Sequence, residues 1–140
     1  MIAFSASIQR HTCGNSEIQD ITEELRKLVT KSGVRTGQLT AMVIGSTASI
    51  STLEYEPGLV KHDIAAVMEK LAPENGSYEH ENTWHDDNGH SHVRACLMGP
   101  SLALPVVDAG LPLGTWQQAV LIDFDTRART REIVVTIVGE

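Results

Sequence analysis

Between Leu102 and Val138 the chain carries three runs rich in Val, Ile and Leu, each broken off by turn residues. They are Leu102–Val107, Trp116–Phe124 and Arg131–Val138, separated by turns over Asp108–Gly114 and Asp125–Arg129. β-Branched residues suit a pleated surface, and connections this short join strands antiparallel, because a parallel pair needs a crossover of a dozen or more residues. A chain that ends this way is built around a largely antiparallel sheet.

The preceding segments supply the partners. Residues 2–10 alternate apolar and polar with a period of two, which predicts a half-buried strand. Ser16 followed by Gln19 has the form of a capping box, and Ile18, Ile21, Leu25 and Leu28 fall at helical spacing up to Gly33. Gln38–Ile44 and Ala48–Glu54 predict two more strands around Gly45. A second helix is expected after Pro57, on the stripe of Leu59, Val60, Ile64, Val67, Met68 and Leu71, ending at Pro73. Glu74 to His90 shows no periodicity and predicts a long polar loop, while Ser91–Met98 admits a short helix stopped by Gly99-Pro100. The expected fold is α+β: two main helices packed on a largely antiparallel (mixed) β-sheet, in one domain over residues 1–140.

Composition narrows the partners. With 41% hydrophobic and 21% charged residues over 140 positions, a conventional core is available without disulfides. Eleven basic against eighteen acidic residues give a formal charge of −7, which argues against nucleic acid, since phosphate contacts need a basic face. The one Arg cluster is Arg127, Arg129 and Arg131. Their alternation is compatible with a small anion site, but a solvated strand edge kept from pairing by charge is the plainer reading. No apolar run approaches the roughly 20 residues of a membrane-spanning helix. Ile2, Phe4, Ala6 and Ile8 alternate with polar neighbours where a leader peptide would be continuously apolar. The expectation is a soluble cytoplasmic protein with no membrane partner, in which Cys13 and Cys96 are reduced thiols.

The polar loop holds the chemistry. His80, His85, His90 and His92 lie between Tyr78 and Val93, mixed with Glu79, Glu81, Asp86, Asp87 and Asn88. Imidazole is the commonest transition-metal ligand, and adjacent carboxylates orient it through the second ring nitrogen. The expectation is a divalent metal or catalytic site in which His80, His90 and His92 converge, with Asp87 or Glu81 behind them. The competing reading is a solvated loop, and the spacing matches no zinc signature. Thr115, Trp116 and Gln117, after Gly114, offer a hydroxyl, a flat apolar ring and an amide to a heteroaromatic ligand. A core Trp anchoring a strand weighs equally. Ser46 and Thr47, after Gly45, present hydroxyls and backbone N–H groups to an anion, although a Gly-Ser-Thr turn alone is weak evidence.

Taken together, Gly45-Ser46-Thr47-Ala48, Tyr78-Glu79-His80, Gly89-His90-Ser91-His92, Leu97–Ser101, Leu113–Gln117 and the closing Val138-Gly139-Glu140 resemble the YjbQ-like family. The resemblance runs from about Gly37 to the C-terminus. These small proteins also carry the label of secondary thiamine-phosphate synthases. The resemblance implies a compact α+β subunit that assembles as a homotrimer, with a histidine-containing pocket near a subunit interface. It implies a metal-assisted transferase of the thiamine-phosphate synthase kind, acting on a phosphorylated heteroaromatic ligand with zinc or magnesium. The alternatives are a metal-assisted hydrolase and a non-catalytic metal-binding trimer. His80 and His92 map onto family histidines, and Glu54 and Asp63 onto family acidic positions, which makes these four the catalytic candidates. One departure stands out: many members have a histidine where this chain has Gly45, and His90 is expected to stand in for it.

Overall fold

The computed structural model describes residues 1–140. In chain order the elements are β1 (Ile2–Thr12), β2 (Glu17–Asp20), α1 (Thr22–Ser32), β3 (Gly37–Val43), β4 (Ala48–Glu54), α2 (Ile64–Leu71), α3 (Glu81–Trp84), α4 (Gly89–Met98), β5 (Ser101–Val106), β6 (Gln117–Asp123) and β7 (Arg129–Gly139). A wide π-type turn over Leu59–Asp63 leads into α2. Instead of one sheet the strands form two, ordered β1-β7-β3-β5 and β2-β6-β4. Every pairing is antiparallel. No helix is long and apolar enough to cross a membrane.

The middle strand β6 explains the layering. Side chains alternate across a strand, so a strand covered on both faces is apolar at every position. Ala119 to Phe124 fit this, apart from Asp123, and all six are buried. Ala119 and Leu121 point into a core shared with Leu39, Ala41 and Val43 of β3 and Ile133, Val135 and Ile137 of β7. Leu25 and Val29 of α1 close that core. Val120, Ile122 and Phe124 point the other way, against Met68 of α2 and Ala95 of α4. The domain is therefore a four-stranded sheet, a three-stranded sheet and a helical layer. Each large side chain buried contributes about 1.5–3 kcal/mol.

Three expectations are corrected. The capping box at Ser16 and Gln19 does not form, because Ser16 has φ 67° and its N–H donates to the Asp123 carbonyl. Glu17–Asp20 instead pairs with β6, and the helix starts only at Thr22, whose N–H donates to Asp20 Oδ1 at 2.9 Å. A strand partner outcompetes the helical spacing there. The segment after Glu74 is less open than expected: α3 forms one turn, and α4 begins at Gly89, whose N–H donates to Glu81 Oε1 at 2.8 Å. This adds a third substantial helix to the two expected. Finally, β7 is no solvated edge, since β1 and β3 flank it.

Candidate active site

The start of β7 and the end of β6 build one wall of a cleft. Arg131, whose side chain is 7% exposed, donates from Nε to Asp123 Oδ2 (2.7 Å) and from Nη2 to Asp123 Oδ1 (2.9 Å) and Thr47 Oγ1 (2.6 Å). Asp123 also accepts the Thr12 hydroxyl at 2.5 Å and the Asp125 N–H at 2.9 Å. Asp125 accepts from Thr47 Oγ1 and from Arg129 Nε, each at 2.9 Å. Burial alone would raise both carboxyls. For Asp123 the hydrogen bonds from Arg131, Thr12 and the Asp125 N–H prevail, and for Asp125 those from Thr47, the Thr126 N–H and Arg129, so both sit below the usual carboxylate range. Two ionised aspartates thus hold two guanidiniums in place.

The opposite wall comes from the segment that the sequence marks as rich in histidine. His80 directly precedes α3 and His92 lies on α4, with ring centroids 4.5 Å apart. His80 Nδ1 is 3.3 Å from Asp86 Oδ1 but has no aligned hydrogen bond within the chain. Asn88 turns its amide nitrogen toward Asp86, 3.0 and 3.3 Å from the two carboxylate oxygens. The Gly45–Thr47 turn between β3 and β4 completes a cleft of about 490 Å³. His80 thus stands beside a carboxylate, and the His92 ring is close enough to share a ligand with it.

His90 does not join them. On α4 positions two apart diverge by about 200°, and His90 is buried with its ring 6.3 Å from Tyr78 and its Nε2 3.4 Å from Ser91 Oγ. Burial, and after it the charge of Arg94, pushes its pKa below the ordinary imidazole value. Nor does it replace a side chain at 45, because the space beside Gly45 is filled by Arg131. No three His, Cys, Asp or Glu side chains come together as a metal-holding group. The expected convergence of His80, His90 and His92 does not form, so the donor set does not fit a protein-held zinc centre. Glu81 and Asp87 line a neighbouring acidic cleft of about 760 Å³, with Glu74 and Asp86.

The other candidates are dispersed. Thr47 is buried and committed to Asp125 and Arg131, whereas Ser46 is exposed on the cleft. Glu54, Thr115, Trp116 and Gln117 line a separate groove, where Gln117 bridges Thr52 Oγ1 and the Gly114 N–H, each at 3.1 Å. Trp116 is 71% exposed there, so it is no core anchor. This groove shares no lining residue with the histidine cleft. Asp63 is exposed in the π-type turn and pairs with His62 at 2.9 Å. Sequence reasoning missed Asp123 and Asp125. The signal was Asp123 inside an apolar run, with Asp125 at its end across Phe124, where a buried charge has to be paired.

Such a domain, two antiparallel sheets backed by helices with a polar cleft at the strand ends, defines a class of small α+β proteins. Its solved neighbours include a YbjQ-like protein of unknown function from Sulfolobus solfataricus, with a TM-score of 0.87, 31% identity and 99% of each chain covered. A hypothetical protein from Aeropyrum pernix superposes with a TM-score of 0.90 at 28% identity, over 98% of this chain and 99% of that one. The chain belongs to the UPF0047, YjbQ-like family, whose model matches residues 6–140. The UPF0047 protein of Methanothermobacter thermautotrophicus is 33% identical over 140 residues, covering 100% of this chain and 95% of that relative. The UPF0047 protein YjbQ of Salmonella typhimurium is 35% identical over 121 residues, covering 86% and 87%.

Proposed function

We propose that this chain is an enzyme of the transferase type, acting on a phosphorylated heteroaromatic small molecule in the manner of a thiamine-phosphate synthase. The observation that supports it most is the pair of His80 and His92 rings, 4.5 Å apart beside Asp86 in an open cleft. Paired imidazoles let one group accept a proton while the other donates one, an acid–base contribution of about 10²–10⁴ in rate. Asp86 lies 3.3 Å from His80 Nδ1, the place a carboxylate takes behind a catalytic histidine to orient its ring.

In this reading Trp116 stacks on the heteroaromatic ring, and Thr115 and Gln117 bond its edge. These residues lie in a different groove of the same chain, so one ligand meets both sets only across an interface. A homotrimer accounts for that, since threefold symmetry closes identical contacts. Two surfaces meeting there also exclude water from the reacting groups.

The test is direct. Purified protein is incubated with hydroxymethylpyrimidine pyrophosphate and thiazole phosphate, with and without magnesium, because pyrophosphates commonly carry that ion with them. Thiamine phosphate should form, and His80→Ala and His92→Ala should each reduce its rate by about 10²–10⁴. No product above that of the double variant overturns the reading. Pyrophosphate release without the thiazole partner would show a hydrolase instead.

A further inference from the structure

We propose that Arg129, Arg131 and the Gly45–Thr47 turn form a binding site for a phosphate or pyrophosphate group, with Gly45 as the position that determines this specificity. The proposal deepens the preceding one, because it assigns the anionic end of the ligand. Its warrant is a set of donors already fixed in place and not used by the fold. Arg131 spends Nε and Nη2 on Asp123 and Thr47, and its Nη1 makes no hydrogen bond within the chain. Arg129 spends Nε on Asp125, and neither of its Nη atoms is used. A guanidinium carries five N–H groups in a fixed fork, so each arginine keeps a free edge while the other is clamped. Clamping matters for affinity, because a side chain already immobilised loses little rotamer freedom on binding.

The turn adds neutral donors. The backbone N–H groups of Gly45, Ser46 and Thr47 make no hydrogen bond to any backbone carbonyl or side chain of the protein, and all three residues line the cleft. Consecutive free amides beside guanidinium edges are the usual furniture of an oxyanion site. The carboxylates nearby are already engaged: Asp123 and Asp125 by the arginines and threonines, Asp86 by His80 and Asn88. Two arginines against two aspartates leave the wall near neutral, so recognition rests on directed donors instead of bulk charge. Two guanidinium edges and three amides exceed what the two oxygens of a carboxylate can accept, and they suit a phosphoryl group with three or more.

Gly45 makes the free edge of Arg131 possible. Its φ of 123° is a left-handed conformation that favours glycine, and a Cβ placed there would lie 2.6 Å from Arg131 Nη1. Arg131 cannot swing aside without breaking its two bonds to Asp123. Any side chain at 45 therefore displaces the guanidinium or covers the edge it offers.

Titration calorimetry and amide NMR with inorganic pyrophosphate, inorganic phosphate and acetate test this without any reaction. Pyrophosphate should bind and shift the amide signals of Gly45, Ser46 and Thr47. Arg129→Gln should weaken it by about tenfold or more, the usual effect of removing a charge-assisted donor. Arg127→Gln, on the same segment but lining the neighbouring acidic cleft, should leave it unchanged. Gly45→Ala should weaken it as Arg129→Gln does; if that variant fails to fold by circular dichroism, Arg129→Gln decides alone. No binding up to about 10 mM, equal weakening by Arg127→Gln and Arg129→Gln, or acetate binding as tightly as phosphate would each overturn the proposal. A failed transferase assay leaves this binding result standing, and a failed binding result leaves the transferase assay free to succeed.

Discussion

Arg131 grips both carboxylate oxygens of Asp123, at 2.7 and 2.9 Å, with neither side chain more than 7% exposed. Removing one partner of such a pair strands the other charge out of water, at a cost of about 3–5 kcal/mol. Asp123→Ala should lose that much in urea denaturation. Arg35 and Asp108 provide the contrast, 3.9 Å apart with side chains 71% and 90% exposed. Asp108→Ala should change stability by no more than about 1 kcal/mol.

Thr47 tests whether a residue on the cleft serves the ligand or the wall. Its hydroxyl donates to Asp125 and accepts from Arg131. Thr47→Val leaves both partners short of a bond and should cost about 1–3 kcal/mol, while Thr47→Ser keeps the hydroxyl and should cost much less. Equal midpoints for the two variants in denaturant would show that the hydroxyl does not stabilise the wall.

His90 should give the protein a pH dependence near neutrality. Burial and the charge of Arg94 lower its folded pKa below the ordinary 6.5. The unfolded chain therefore takes up a proton that the folded chain resists, and stability is lost as pH falls from about 6.5 toward the folded value. Urea midpoints measured between about pH 7.5 and 5.5 should fall in the parent protein and fall less in His90→Gln.

A second loss belongs to Asp123 and Asp125. Their folded pKa values are depressed, so their contribution is complete above the unfolded carboxyl range near pH 4 and disappears as pH drops below it. Circular dichroism between about pH 5 and 2 should show cooperative acid unfolding. In Asp123→Asn the stability should fall less steeply across that range.

The shared ligand proposed for the two grooves requires copies of the chain to assemble. Sedimentation equilibrium at micromolar concentration should give about three times the 15.2 kDa of one chain. A mass near a single chain would contradict the trimer.

The strands were readable because their apolar periods are long and their turns sharp: β1, β3, β4 and β7 lie within a few residues of where the pattern puts them. Residues 16–20 were misread because Ile18 and Ile21 serve a strand and the approach to a helix in succession, which local spacing alone cannot separate. The histidine wall was legible in part. Clustering drew attention to His80 and His92, but the helix through Gly89–Met98 sends His90 elsewhere, and an aperiodic segment gives no warning of that. The cluster of Arg127, Arg129 and Arg131 is legible, but its alternation favours a solvated edge over an anion site. Their real setting depends on β7 lying between β1 and β3, a pairing between the two ends of the chain that no short window contains.

That pairing has a consequence for how the cleft can change. The strand carrying Arg129 and Arg131 is locked in register by eleven residue pairs with β1 and seven with β3. A slip of one residue would turn both arginines to the opposite face and drive Ile133, Val135 and Ile137 out of the core. The arginine wall therefore inherits the rigidity of the sheet and cannot drift while the domain remains folded. The facing wall, made of the single turn of α3, the loop to Asn88 and the start of α4 that carries His92, is held by no strand register. A lineage exploring new ligands would keep the arginines as a constant grip and vary the far side, as a vice works with one fixed and one moving jaw.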